Sequence, residues 1–395
     1  MKIYRCYLIL AAMLAAMAAL GSVGWAQANP RARDLGVPFE GTPGPVDAIT
    51  DVKGVEVGHT TLISGSGKLV VGQGPVRTGV TAVLPRGKSP GSQVFAGWYS
   101  LNGNGEMTGT TWVEESGFLE GPVMITNTHS VGVVRDAVIR WRVNLALPDD
   151  TGYWWSLPVV AETYDGYLND VNGFHVTTQD AFHALESARP GPVEEGNVGG
   201  GTGMICYEFK GGIGTASRQL PAAAGGFTVG VLVQCNCGGR EQLRIAGAPV
   251  GQEITQDKVW GSLRSEPDAE KGSIIIVVAT DAPLLPHQLK RLARRAALGL
   301  ARTGSTSGNG SGDIFLAFST ANPGASKSTG IADVKMVAND DMNPIFSATV
   351  EATEEAIVNA LVAAQTMTGA NGRTATALPH DRLRELLKKY NRLVK

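Results

Sequence analysis

Gly272-Ser273 stands where a polar passage meets a strand-like run. Upstream, Gln256 to Lys271 is polar and ends in Arg264-Ser265-Glu266-Pro267-Asp268-Ala269-Glu270. Downstream, Ile274-Ile275-Ile276-Val277-Val278-Ala279-Thr280 is unbroken, apolar and β-branched. That pattern is a strand buried on both faces. A serine at the mouth of such a strand is held in place, and a preceding glycine lets another group approach its carbonyl closely. This is the geometry needed by a chain that cuts its own Gly272–Ser273 bond. The product would be an N-terminal serine, with its hydroxyl as nucleophile and its own amine as base. The dipeptide alone also describes an ordinary turn before a strand, so the other chemistry-bearing residues must decide.

Three further groups of polar residues end or begin strand-like runs. Glu162, Thr163, Tyr164 and Asp165 close the run Leu157 to Ala161. Asn236 closes the long run from Phe227, and Gly238-Gly239-Arg240 turn after it. Ser311 and Asp313 are delivered by a small-residue loop from Thr303 into the strand Ile314 to Thr320. Such strand ends are natural places for site chemistry, although an asparagine there also suits a plain turn. His129 beside Ser130 suggests a hydrolase pair, but adjacent residues do not readily form one and no Gly-x-Ser-x-Gly surrounds Ser130. Gly199 to Gly203 leads into a strand and not a helix, which argues against dinucleotide binding, and Asn102 to Glu106 lacks the P-loop lysine. No ligand cluster suggests a metal, so neither a metal nor a cofactor is expected.

These residues must be positioned by a sizeable core. The chain has 395 residues, 43% hydrophobic and 18% charged, enough for one large domain or two ordinary ones. A net charge of -2 gives no electrostatic case for nucleic acid or an anionic membrane. The 51 glycines read as tight turns and close backbone contacts. Lys2 and Arg5, the apolar stretch Leu8 to Leu20 and Ala26-Gln27-Ala28 form an export signal over residues 1–28. The expected location is periplasmic or secreted, with no membrane attachment after signal removal. Cys206, Cys235 and Cys237 remain, an odd count that gives no disulfide framework. Cys235 and Cys237 read as alternating strand residues, and a bridge from Cys206 is left open.

In chain order, Asn29 to Val46 reads as an extended arm. Strands are expected at Ile49 to Val52, Val57 to His59, Val76 to Leu84 and Met204 to Tyr207, and Val123 to Gly132 reads as a strand running into a helix. Helices are expected at Val134 to Leu145, Thr177 to Ser187 and from Pro286, where Leu289, Leu292, Ala293, Ala296 and Leu300 share a face. Thr353-Glu354-Glu355 reads as the cap of a helix Ala356 to Thr366, and a last helix spans Asp381 to Leu393. The order fits one α/β domain with antiparallel sheets sandwiched by helices.

Four segments together resemble one family. They are Gly272-Ser273-Ile274-Ile275-Ile276-Val277-Val278-Ala279-Thr280-Asp281-Ala282-Pro283, Asn309-Gly310-Ser311-Gly312-Asp313-Ile314, Glu162-Thr163-Tyr164-Asp165-Gly166 and Val231-Leu232-Val233-Gln234-Cys235-Asn236. From roughly Ile49 to Leu378 the chain resembles the autoproteolytic L-aminopeptidase/D-esterases, which include the β-peptidyl aminopeptidases. The resemblance implies an α/β fold: a four-layer αββα sandwich, laid out like the N-terminal-nucleophile hydrolases but differently connected. It implies self-cleavage into an α-subunit, 29–272, and a β-subunit, 273–395, and a tetramer of these two-chain units. It implies hydrolysis of the N-terminal residue of a short peptide, amide or ester with a free amine, whether L-, D- or β-amino acid.

Carried over by motif, Ser273 is the nucleophile and Asn236 helps form the oxyanion hole. Tyr164 lies beside the nucleophile, Glu162 binds the substrate amine, and Ser311 with Asp313 supports the nucleophile. Some relatives have glutamate where this chain has Asp313, one methylene shorter, which weakens the case for direct contact there. Loops near Trp112 and Trp154-Trp155 are candidates for setting substrate preference. Two other readings stay open: a conventional secreted serine hydrolase using Ser130 or Ser311 with His59, His129 or His175, and a two-lobed periplasmic binding protein.

Overall fold

Along the strand that begins at Ser273, successive side chains enter different cores. Ile274, Ile276 and Val278 pack into one, and Ile275, Val277 and Ala279 into another. A central strand with both faces covered explains the unbroken apolar run. The structure, a computed structural model, describes residues 30–88, 93–145, 154–259 and 272–394. The expected leader, and residues 260–271 of the polar passage before Gly272, lie outside the described residues.

The strands are β1 (Glu56–Ser64), β2 (Val76–Lys88), β3 (Val94–Gly103), β4 (Phe118–Leu119), β5 (Val123–Asn127) and β6 (Val159–Thr163). They continue with β7 (Ile205–Cys206), β8 (Phe209–Lys210), β9 (Gly212–Gln219), β10 (Thr228–Asn236), β11 (Ser273–Thr280) and β12 (Gly312–Ser319). One sheet has the order β1-β2-β5-β6, and a larger one has the order β4-β3-β12-β11-β10-β9. A core that includes Val83, Ile125, Leu232, Ile275 and Leu316 lies between the sheets. The helices Val131–Asn144 and Thr178–Glu186 cover the outer face of the smaller sheet through Val134, Val138 and Leu185. The helices Pro286–Arg302 and Asn343–Ala363 cover the larger sheet through Leu289, Leu292, Ile357 and Leu361. The result is the expected αββα sandwich. Most pairings are antiparallel, but β5–β6 and β11–β12 are parallel. The second of these requires a crossover, which the helix from Pro286 supplies.

Several local expectations change. Ile49–Asp51 is a 3-10 turn, with the Ile49 amide donating to the Thr215 hydroxyl, and the strand starts only at Glu56. The arm after Asn29 is fastened: Arg31 reaches Glu195 at 2.9 Å and Arg33 reaches Glu355 at 2.6 Å. Thr353 is no helix cap. It lies inside the helix Asn343–Ala363 and donates its hydroxyl to the Thr349 carbonyl at 2.7 Å. That helix is buried around most of its girth, so its polar middle imitated a start. Cys206 and Cys235 are joined by a disulfide, and Cys237 is a buried cysteine outside that bridge.

Candidate active site

Strand ends from both sheets meet along one edge. Across the ladders, Ser273 faces Asn236 on one side and Gly312 on the other. The period of two turns Ser273 toward the inter-sheet side, with Ile275 and Val277. It places Asn236 on that side too, with Leu232 and Gln234, while Cys235 goes to the opposite core. Gln234 ties the sheets together by donating to the Thr126 carbonyl and the Thr163 hydroxyl.

The Gly272–Ser273 bond sits in a crowded corner. The Gly312 amide donates to Oγ of Ser273 at 3.2 Å and to the carbonyl oxygen of Gly272 at 3.2 Å. A Cβ on Gly272 would lie 2.3 Å from the Asn236 carbonyl oxygen, and one on Gly312 would lie 2.3 Å from that of Asn104. Only glycine permits these approaches. Ser273 is buried but lines a cavity of about 730 Å³ together with Asn236, Glu162, Tyr164 and Ile205. That volume suits a small ligand.

Asn236 is held at both ends of its amide. Oδ1 accepts from the Ile205 amide at 2.7 Å, and Nδ2 donates to the Tyr164 carbonyl at 3.1 Å. Tyr164 itself is exposed and borders the cavity. Asp165, next to it, is buried and accepts from the side-chain amides of Asn127 and Asn169 at 3.0 Å each. Burial raises its carboxyl pKa to about 6, against the opposing effect of these hydrogen bonds.

Glu162 is buried at the end of β6, with only 4% exposure. Oε1 accepts from the Glu106 amide at 3.0 Å, and Oε2 from the Thr128 hydroxyl. Burial pushes its carboxyl above the usual range, and the nearby Glu106 carboxylate adds to this; the two hydrogen bonds pull the other way. A buried carboxylate facing a cavity is a ready partner for a cation.

Ser311 and Asp313 are fully buried on either side of Gly312, and Oγ of Ser311 donates to Oδ1 of Asp313 at 2.6 Å. They bracket the Gly312 backbone, whose amide donates to Oγ of Ser273. The tryptophans named above are not among the described residues that line this cavity. Trp112 packs edge-on against Trp155, its indole donates to Glu120, and Arg142 covers Trp154. The cavity is bordered instead by Asn104, Gly105, Glu106, Thr128, Tyr167 and Gly310. From sequence, the stretch around Glu106 reads only as a loop, and its glycines and polar residues are the available signal. Thr128 carries none. The histidines have other partners: His59 contacts the Thr81 hydroxyl, His175 contacts Asp170, and His129 stacks on Phe174.

The profile of peptidase family S58 matches residues 47–375. The chain belongs to peptidase family S58. It is 57% identical over 396 residues to the β-peptidyl aminopeptidase BapA of Sphingosinicella microcystinivorans, covering 98% of each chain. It is 52% identical over 388 residues to BapA of Sphingosinicella xenopeptidilytica, covering 96% of this chain and 95% of that one. Among solved structures it is similar to the L-aminopeptidase D-Ala-esterase/amidase of Ochrobactrum anthropi, described as a prototype serine aminopeptidase and a new variant of the Ntn hydrolase fold. That match has a TM-score of 0.85 and 50% identity, over 92% of this chain and 100% of that one. A β-aminopeptidase from Burkholderia sp. superposes with a TM-score of 0.81 at 50% identity, over 91% and 99% of the two chains. This S58 chain is an aminopeptidase by family, and hydrolysis is its chemistry.

Proposed function

We propose that this S58 aminopeptidase is a self-cleaving N-terminal-serine enzyme. It removes the first residue, L-, D- or β-amino acid, from short peptides, amides or esters that carry a free amine. The observation that carries this reading is the Gly312 amide, which donates both to the Gly272 carbonyl and to Oγ of Ser273. In maturation, Oγ attacks the Gly272 carbonyl carbon, and charge grows on an oxygen that already has a donor. Collapse breaks the C–N bond and leaves a Gly272 ester on the hydroxyl. That C–N cleavage frees the Ser273 amine, which takes up the hydroxyl proton; water then hydrolyses the ester, releasing a Gly272 carboxylate and restoring the Ser273 hydroxyl.

The freed amine has a reference pKa of about 7.7–8.0 and accepts the hydroxyl proton near neutral pH. Oγ then attacks the substrate carbonyl, and the oxyanion is met by the Asn236 side-chain amide and the Gly312 backbone amide. The Asn236–Tyr164 hydrogen bond uses one Nδ2 hydrogen and leaves the second for this role. Collapse expels the leaving amine or alcohol, and water hydrolyses the acyl-enzyme. Glu162 receives the substrate ammonium, which accounts for the requirement for a free amine. Tyr164 borders the entering substrate, and Ser311 with Asp313 stiffens the Gly312 turn. The likeness to enzymes named for β-peptides and for β-amino substrates supports including β-amino acids.

The same reading extends to export with loss of residues 1–28, to action in the periplasm or outside the cell, and to a tetramer of αβ units. Denaturing electrophoresis of active enzyme tests the core of it, with a panel of free and N-acetylated p-nitroanilides and β-dipeptides. Two fragments and turnover of free amines alone are expected. An active, unbroken chain would overturn it.

A further inference from the structure

The amide of Asn236 is aimed by a short hairpin behind it. In β7 and β8, Ile205 pairs with Lys210 and Cys206 with Phe209. The two joining residues, Tyr207 and Glu208, have φ of 50° and 60°. A two-residue turn with left-handed backbone at both positions favours Asn-Gly. A tyrosine and a glutamate in its place are strained, and such strain persists only where the surroundings over-determine it.

Three buried restraints do so here. Arg240 donates to the carbonyls of Tyr207 and Glu208 at 3.0 and 2.6 Å, and its guanidinium lies 3.3 Å from the centre of the Phe209 ring. The ammonium of Lys210 donates to the carbonyls of Gly201, Met204 and Gly211 at 3.3, 2.9 and 2.7 Å. These carbonyls flank the hairpin on both sides. The Cys206–Cys235 disulfide ties the hairpin to β10 one residue before Asn236. The whole hairpin is buried, and a fully buried ammonium without an ion pair among the described residues is a costly way to hold it. What the hairpin presents to the cavity is the side chain of Ile205 and its amide, which donates to Oδ1 of Asn236 at 2.7 Å. One planar group carries both Oδ1 and Nδ2, so holding Oδ1 directs the donor.

We propose that the Ile205–Lys210 hairpin is a positioning element for the oxyanion amide, with Lys210 and the Cys206–Cys235 disulfide acting through the Ile205 amide on Asn236. This rests on the Ser273–Asn236 aminopeptidase reading above.

The test is a double-mutant cycle on full-length enzyme already shown to be cleaved. Lys210→Met and Cys206→Ala should each lower kcat roughly 10- to 100-fold, as small misplacements do, with KM little changed. In an Asn236→Ala background the same substitutions should cost nothing further, because the group they aim is gone. Equal losses in both backgrounds, or losses confined to KM, overturn the proposal. Reduction provides a second arm if a variant fails to fold. A dithiol converts the disulfide to two thiols and is itself oxidised to its cyclic disulfide. It should lower kcat of the cleaved native enzyme reversibly and leave Asn236→Ala unaffected. Alkylation with mass measurement of enzyme lacking residues 1–28, and with them Cys6, should label one cysteine before reduction and three after; three at the outset overturns the disulfide's part. A Ser273→Ala variant that retains activity would sink the aminopeptidase reading itself. An inactive Ser273→Ala with an additive cycle sinks only the positioning role.

Discussion

Asn236 stands directly across the β-ladder from Ser273, both facing the space between the sheets. The pairing is antiparallel, so the last residue of one strand meets the first residue of the next. A side-chain amide and a side-chain hydroxyl are thereby fixed by backbone hydrogen bonds and not by a flexible loop. The parallel neighbour β12 adds Gly312 on the other side of Ser273. On the reading proposed above, the oxyanion donors thus flank the nucleophile along consecutive strands. Little reorganisation remains to be done as charge develops, which is where such donors act most strongly.

Maturation is the first consequence. Mass spectrometry of the active protein should find a fragment that begins at Ser273. Ser273→Ala should remain one inactive chain. Gly272→Ala should also mature slowly, because its methyl would meet the Asn236 carbonyl at 2.3 Å and push the reacting carbonyl away from Gly312. Normal cleavage of Gly272→Ala would show that this corner can shift without consequence.

Recognition of the amine gives the second. Only ionised Glu162 can pair with an ammonium, and burial raises its pKa above the usual carboxylate range. The Ser273 amine must be neutral to act as base. In acid, both groups are protonated, and log(kcat/KM) should fall with a slope of about 2. Glu162→Gln should lower kcat/KM about 10- to 100-fold, the cost of losing a charge-assisted contact worth roughly 1.5–3 kcal/mol. Its acid limb should keep a slope of only about 1, and self-cleavage should proceed. An unchanged slope in the variant would remove Glu162 from substrate binding.

How much of this is legible in the sequence follows from what each feature depends on. The strand from Ser273 and the helix from Pro286 declare themselves by periodicity, because one element is covered on both faces and the other on one. Ser273, Asn236, Glu162, Tyr164, Ser311 and Asp313 are legible through their motifs at strand ends, and the structure brings all six to one edge. Thr128 and the amides of Ile205 and Gly312 are not legible. Their parts depend on register and backbone direction, to which residue type is blind. The Cys206–Cys235 pairing is hidden for a related reason: an odd count of three says nothing about which sulfurs meet. Thr353 misled because a polar residue in a buried helix looks like a helix start.

Asp165 gives a prediction about stability. Its carboxyl has a pKa of about 6 when folded, against 3.8 for an ordinary aspartate side chain. Between these values the folded state holds more protons than the unfolded state, so stability falls as pH rises through this window. Above about pH 6 the full penalty of the buried charge is present. Asp165→Asn has no such titration. Its stability relative to the native enzyme should therefore increase from about pH 4 to pH 6 and then level off. Denaturant unfolding across this range measures it, and a constant difference would show that Asp165 ionises as readily folded as unfolded.

The last prediction concerns the oxyanion. Asn236 is buried, and both ends of its amide are engaged, by Ile205 and by the Tyr164 carbonyl. Its remaining Nδ2 hydrogen gains a strong partner only as the substrate carbonyl becomes an oxyanion. Asn236→Ala should therefore lower kcat on the order of 10²–10³-fold and raise KM far less. The Gly312 amide remains in the variant, so residual activity above the Ser273→Ala background is expected. Maturation passes through a similar tetrahedral species at Gly272, and the variant should also cleave slowly. Kinetics must be measured on the cleaved fraction, since uncleaved chains would imitate a loss of kcat. A fully cleaved Asn236→Ala enzyme with near-normal kcat would leave Gly312 as the principal donor and place the second one elsewhere.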